Sequence, residues 1–268
     1  MYQIVEQTVI FNWDFDEILN NTILNDIKSC DKIIFSNYGD LNICLITNNK
    51  YDCKYKNKYK FSKFNQCLDN LPHGIRDLTL GGTFNQHLDN LPSSIINLRL
   101  GDCFNQRLDN LPSSIINLTL GFYFNQCLDN LPSSIINLTL DLHFNQPIDN
   151  LSNGIQNLIL GENFNQEINN LPHGIQNLTL SYNFNQCLDN LPYGIINLTL
   201  GDRFNQCLDN LPSSINKITF KSSCKYRIKF SLEIKKIPLN LKTIDLSQIP
   251  NKSHLKKEFE KFNVEIIE

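Results

Sequence analysis

The sequence predicts a β-rich solenoid: a right-handed coil of eight 20-residue repeats that share one parallel β-sheet, with a segment of different character at each end. Three observations carry that expectation. Phe-Asn-Gln recurs at Phe64, Phe84, Phe104, Phe124, Phe144, Phe164, Phe184 and Phe204, with a strict period of 20 and no insertion. Within each copy a short apolar/polar alternation appears, as in Leu98 and Leu100 beside Asn97 and Arg99, which is the period of a half-buried strand. A unit of 20 residues is too short to enclose a core, so its apolar side chains are buried only when copies stack.

Residues 1–63 do not repeat. Leu19, Ile23 and Ile27 lie four apart and predict one amphipathic helix, for which Asp16 or Asn12 is the cap. Lys32–Phe35 and Asn42–Ile46 read as strands or core segments. Because an open solenoid edge needs covering, this segment is expected to cap the first coil.

Residues 64–220 form the array, each copy approximating F-N-Q-x-L-D-N-L-P-x-x-I-x-N-L-T-L-G-x-x. Ile95, Leu98 and Leu100 have the L-x-x-L-x-L spacing of a leucine-rich-repeat strand. Such strands stack about 4.8 Å apart. Gly101 and its equivalents are expected to release the chain into a turn. Phe104 and Leu108 point inward, and Leu111-Pro112 closes the coil with an extended segment. Asn65, Asn85, Asn105, Asn125, Asn145, Asn165, Asn185 and Asn205 offer an amide donor and acceptor to the next coil, and are expected to form a buried ladder that pairs loop backbone groups.

Residues 221–268 contain a worn ninth copy: Phe230, Ile234, Ile237-Pro238, Leu241, Ile244 and Leu246 keep the repeat's spacing after an insertion of six residues. Leu255, Phe259 and Phe262 then predict a short helix, and Val264–Ile267 a last strand, together a C-terminal cap.

Formal charge is −3 overall, but uneven: −9 over residues 64–216 and +6 over 217–268. The acidic array disfavours phosphate backbones, so nucleic acid is not expected as a partner. No run of 18 apolar residues marks a spanning helix, and no basic start with an apolar stretch marks a secretory signal. Nine cysteines, an odd number with no C-x-x-C spacing, predict free thiols in a reducing, cytoplasmic compartment, and give no zinc site. Cys187 and Cys207 fall in successive coils within disulfide range, and in a reducing cell they are expected to stay thiols.

The chemistry is equally plain. No catalytic constellation, phosphate loop, cofactor site or metal site is apparent, and no enzyme is expected. The five histidines do not cluster; His73 and His173 share one turn position in two copies. Asp69, Asp89, Asp109, Asp129, Asp149, Asp189 and Asp209 lack the Gly-rich turns of calcium-binding repeats, and are assigned to local turn bonding. Asn-Leu-Thr triplets at Asn117, Asn137, Asn177 and Asn197 match a glycosylation acceptor but fall in the strand segment.

The eight Phe-Asn-Gln copies resemble the FNIP repeats, a leucine-rich-repeat-like class found in social amoebae and in giant viruses of amoebae. Gln replaces the class's Ile in every copy, and its Pro is kept only at Pro147. The resemblance implies a binding scaffold without enzymatic activity, often joined to an F-box that recruits a ubiquitin ligase. It therefore implies a protein partner, with a ligase adaptor as the alternative if residues 1–63 are a divergent F-box. The usual Leu-Pro opening is missing there. The location implied is the cytoplasm, a host's if the chain is viral, and the state implied is a monomer.

Two positions vary freely between copies, directly before each Phe: Asp102-Cys103, Phe122-Tyr123, Leu142-His143, Glu162-Asn163, Tyr182-Asn183 and Asp202-Arg203 among them. They sit where the strand exits, at the rim of the concave sheet, a surface that solenoids use for binding. Phe122, Tyr123, Leu142, His143 and Tyr182 are the candidate partner-binding residues, expected to form an exposed aromatic cluster.

Overall fold

A computed structural model describes residues 2–36, 61–222, 234–250 and 252–268. They divide into two compact units, Met1–Phe124 and Asn125–Glu268. Both are parallel β-solenoids.

In the first unit, β1 (Tyr2–Val5) and β2 (Thr8–Phe11) form an antiparallel hairpin. A seven-residue helix α1 (Asn21–Ile27) follows, then β3 (Lys32–Phe35), β4 (Asp77–Thr79), β5 (Asn97–Arg99) and β6 (Asn117–Thr119). From β2 onward every pairing is parallel, with Ile33 opposite Leu78, then Leu98, then Leu118. The cap of α1 is neither Asp16 nor Asn12. Asn20 holds an extended backbone and its side chain accepts from the N–H groups of Thr22 and Ile23, because it is the residue adjoining the first turn.

Asp16 has another task. Its carboxylate accepts from the backbone N–H of Asn65 at 3.0 Å and from Nε2 of Gln66 at 2.9 Å. The Phe15 ring stacks on Phe64, and the carbonyl of Trp13 accepts from the N–H of Lys63, as that of Gly82 does from Cys103. Phe15-Asp16-Glu17-Ile18-Leu19 therefore stands where a copy has Phe-Asn-Gln-x-Leu. An additional, worn coil precedes the eight.

In the second unit, β7 (Asn137–Thr139), β8 (Asn157–Ile159), β9 (Asn177–Thr179), β10 (Asn197–Leu200), β11 (Lys217–Lys221) and β12 (Thr243–Gln248) pair in parallel where their register is described. After α2 (Ser253–Phe259) the chain returns as β13 (Glu265–Ile267), parallel to β12. Ile234, Leu241, Ile244 and Leu246 of the ninth copy are buried, as are Leu255 and Phe259. Phe230, Asn42–Ile46, Cys44, Cys53 and Cys224 lie outside the described residues.

Each coil of the array is closed by tight turns rather than a back helix. Residues 61–222 contain no helix. The N–H of Ile75 returns to the carbonyl of Pro72, and that of Phe84 to Gly81, both at 3.2 Å, so Pro opens a turn instead of lying in an extended run. The strand-exit glycine is selected by crowding, not by backbone twist. A Cβ on Gly101 would meet the Gly81 carbonyl of the preceding coil, while no left-handed φ is needed there.

The core is a set of columns. Phe64, Phe84 and Phe104 in one unit, and Phe144, Phe164, Phe184 and Phe204 in the other, are at most 1% exposed. Successive rings are parallel within 7°, with centroids 6.0–6.3 Å apart. Each buried ring or aliphatic side chain contributes about 1.5–3 kcal/mol. Equivalent rings are related by the step from coil to coil. On the strand side that step is about 4.8 Å. The coils of each unit therefore fan apart on the Phe side, and the strand face is the concave one.

Candidate interaction surface

Three side-chain ladders hold the coils in register, and all of them run in one direction. In the first, the backbone N–H of each Phe-Asn-Gln asparagine donates to Oδ1 of the preceding one: Asn85 to Asn65, Asn105 to Asn85, Asn165 to Asn145, Asn185 to Asn165 and Asn205 to Asn185, all at 2.8–2.9 Å. Asn145 makes the same bond to Asn125. This ladder is not buried: Asn165 and Asn205 are exposed and the others half-buried, because Asn points away from the core next to an inward Phe.

A second ladder runs along the strands. Nδ2 of Asn157 donates to Oδ1 of Asn137, Asn177 to Asn157 and Asn197 to Asn177, at 2.5–2.6 Å. Asn117 donates to Asn97, and Asn97 to the carboxylate of Asp77. The side-chain Nδ2 groups of Asn117, Asn177 and Asn197 in the Asn-Leu-Thr triplets are thus committed to the sheet, which removes them as glycosylation acceptors in the folded chain.

The third ladder gives the repeated Asp an inter-coil partner beside the local bonding expected of it. Nδ2 of Asn90 donates to Asp69, Asn110 to Asp89, Asn150 to Asp129, Asn170 to Asp149 and Asn210 to Asp189, at 2.9–3.2 Å. Asp209 closes the series by accepting the N–H groups of Lys235 and Lys236 at 3.0 Å. Burial works against its charge, and the Cys207 contact and those N–H groups outweigh it, so its pKa is lowered. Local bonds are added to the inter-coil ones. The Cys67 thiol donates to Asp69 and its pKa is raised, that contact first and burial second. Arg107 pairs with Asp109 at 2.5 Å. Glu167 faces Asn169, where other copies have Asp, and accepts from its amide at 3.0 Å. At Cys67, Arg107 and Glu167 the freely varying position is therefore matched to the residue two further on.

The rim has fixed backbone and varied side chains. The N–H of Tyr123 donates to the carbonyl of Asp102, Asn163 to Leu142, Asn183 to Glu162 and Arg203 to Tyr182, at 2.8–3.0 Å. In the first unit Phe122 is half-buried and Tyr123 is 54% exposed, with rings edge-on at 4.7 Å. In the second unit Leu142, His143 and Tyr182 are half-buried, and the Arg203 guanidinium covers the Tyr182 ring at 5.1 Å. Tyr123 alone of the five is exposed. The concave face adds apolar residues that went unnoticed in the sequence: Ile159 and Ile196, 38% and 37% exposed. For Ile159 the signal was present, since it alternates with the inward Leu158 and Leu160. Tyr193, 77% exposed, stands at the turn position shared by His73 and His173.

Among the described residues, no group of three or more His, Cys, Asp or Glu side chains is placed to hold a metal, and no helix is long and apolar enough to cross a membrane. The described cysteines, including Cys187 and Cys207, are free thiols. Burial first, then the adjacent Asp102, pushes the Cys103 thiol up.

Stacked coils of one short parallel strand each, with aromatic and amide columns behind, define a leucine-rich-repeat-like solenoid. The FNIP Repeat model matches residues 64–103, 104–143, 144–182 and 184–223, and the chain belongs to the FNIP repeat family. A solved structure, CroV588 of a giant virus, described as a novel circular LRR protein, is similar at 24% identity with a TM-score of 0.52. The match covers 91% of this chain and 54% of that one, so the chain spans about half its length. No curated protein matches significantly.

Proposed function

We propose that the chain is a non-enzymatic protein-interaction scaffold whose partner docks on the concave strand face and its exit rim. One observation supports this above the others. The rim backbone is tied coil to coil at 2.8–3.0 Å, yet no two copies carry the same pair of rim side chains. A rigid frame with exchangeable side chains suits recognition more than structure. Tyr123 and Phe122 are the anchors proposed in the first unit, with Leu142, His143 and Tyr182 in the second. A ligase-receptor role through a divergent F-box in residues 1–63 has no described residue in its support.

The test is affinity purification of the tagged full-length chain from amoeba lysate, with Tyr123→Ser beside the wild type. Tyr123 is exposed, so the variant keeps the fold. A reproducible partner reduced several-fold by Tyr123→Ser is the expected result. A partner retained in full on that variant overturns the rim assignment, and recovery of a cullin-linked adaptor overturns the plain-scaffold one.

A further inference from the structure

The asparagines that follow Phe144, Phe164 and Phe184 are half used. Oδ1 of Asn145, Asn165 and Asn185 each accepts the N–H of the next coil at 2.8–2.9 Å. That bond fixes the plane of the amide. The other half of the amide, the Nδ2 donor, makes no hydrogen bond in any of the three, and all three side chains reach solvent. The result is a row of fixed donors, one per coil, that are bonded to no protein group and open to solvent.

Their spacing has a natural match. Phe rings at the adjoining position step by 6.1–6.3 Å per coil in this unit. The step grows with distance from the strands, and the Asn side chains point outward beyond the rings, so their donors are at least that far apart. In an extended peptide, carbonyls of alternate residues point the same way and repeat about every 6.6 Å. Each coil thus presents one donor for every second carbonyl of an extended chain laid along the row. A polyproline helix, with about three residues per turn, does not put alternate carbonyls on one side.

The surroundings select the charge. Between Asp141 and Asn210 seven carboxylates stand against one arginine. Beside the row, an open polar depression of about 500 Å³ is lined by Asn165, Asn183, Asn185, Asp202, Arg203 and Asn205.

We propose that Asn145, Asn165 and Asn185 form a track that binds the main chain of an extended, Lys- or Arg-bearing peptide segment of a partner protein. The amides read main-chain carbonyls, and the flanking carboxylates read alternate basic side chains. This is the mode of strand addition, performed by side-chain amides rather than by a sheet edge. It does not depend on Phe122, Tyr123, Leu142, His143 or Tyr182.

The probe is a synthetic, alternating Lys-Thr peptide long enough to span the three rungs, Thr being chosen for its extended preference. It is titrated into the isotope-labelled full-length chain while side-chain amide resonances are followed. The three Asn amide signals are expected to move together with the peptide, and to stay in place with spermine, which carries charge but no carbonyls. Asn165→Asp keeps the acceptor for the Asn185 N–H and removes only the donor. It is expected to weaken peptide binding about tenfold, the factor of one unmade hydrogen bond, even though it adds a negative charge. Asn145→Asp is the second such variant. Equal or tighter binding by these variants, movement of the same signals with spermine, or immobile Asn signals would each overturn the proposal.

Discussion

The direction of the strand ladder makes Asn157→Asp and Asp77→Asn unequal, although each exchanges one amide for one carboxylate or the reverse. Nδ2 of Asn97, Asn117, Asn157, Asn177 and Asn197 donates toward the N-terminus, so an interior rung must both give and accept. Asn157 gives to Asn137 and accepts from Asn177, both at 2.5 Å. Asp at 157 still accepts from Asn177, but it sets a carboxylate oxygen against Oδ1 of Asn137. One hydrogen bond is lost and a half-buried oxygen is left facing another, at a cost of about 1–3 kcal/mol. Asp77, by contrast, only accepts from Asn97, and Asn serves there equally well. The assay is thermal and urea unfolding followed by circular dichroism. Asn157→Asp is expected to lower the midpoint by several degrees, at about 2–4 °C per kcal/mol for a chain of this size, and Asp77→Asn to leave it unchanged. The pH dependence carries a sign. The introduced carboxyl is neutral more readily in the folded state, where its O–H donates to Asn137, so its folded pKa lies above the unfolded value near ~3.9. Its deficit relative to wild type is full at neutral pH and shrinks as pH falls through the raised folded value. Equal stability of the two variants at neutral pH, or a deficit that grows on acidification, would refute the ladder's polarity.

Phe184→Ala removes a ring that is fully buried between two others, and is expected to cost about 3–5 kcal/mol, measured as loss of the unfolding midpoint. Asn169→Asp places a carboxylate beside Glu167 and lowers stability slightly; adding Glu167→Arg recreates the Arg107–Asp109 pairing, and the double-mutant cycle should show favourable coupling. Asp245 is buried, which raises its pKa, but Lys217 at 2.8 Å and Ser247 outweigh that and hold it below the usual carboxylate range. Its contribution is therefore present at neutral pH and lost as pH falls from the unfolded carboxylate range through the lowered folded value, so Asp245→Asn should flatten the acid limb of the stability profile.

Much of the fold was legible because it is a translation. A strict period places strands, core letters and turns together, so Leu98, Phe104 and their equivalents needed no structure to assign. What escaped was the partner of each polar residue. Strand Asn was taken for the wet side of an alternation, since a pattern of inward and outward positions does not distinguish solvent from an identical amide one coil away. The repeated Asp was paired within its own turn for the same reason, although Asn one place further along the next copy is its partner. The worn coil at Phe15-Asp16-Glu17-Ile18-Leu19 was hidden by Asp in place of Asn. That exchange follows from polarity, because a first rung needs only an acceptor. The rim positions were found by their variation, but variation says nothing of exposure, and Arg203 over Tyr182 could be seen only in three dimensions.

Within the eight copies the ladders connect residue i to residue i+20 or i+21, so these inter-coil bonds do not carry the identity of the copy. Loss or gain of one whole repeat in the gene would join each severed bond to an equivalent partner, and the chain would close over the change with its side-chain chemistry intact. Length in this protein is a quantity that recombination between near-identical copies can alter by whole coils, while an insertion of any other size must be looped out, as the six residues before the ninth copy are, for the columns to continue.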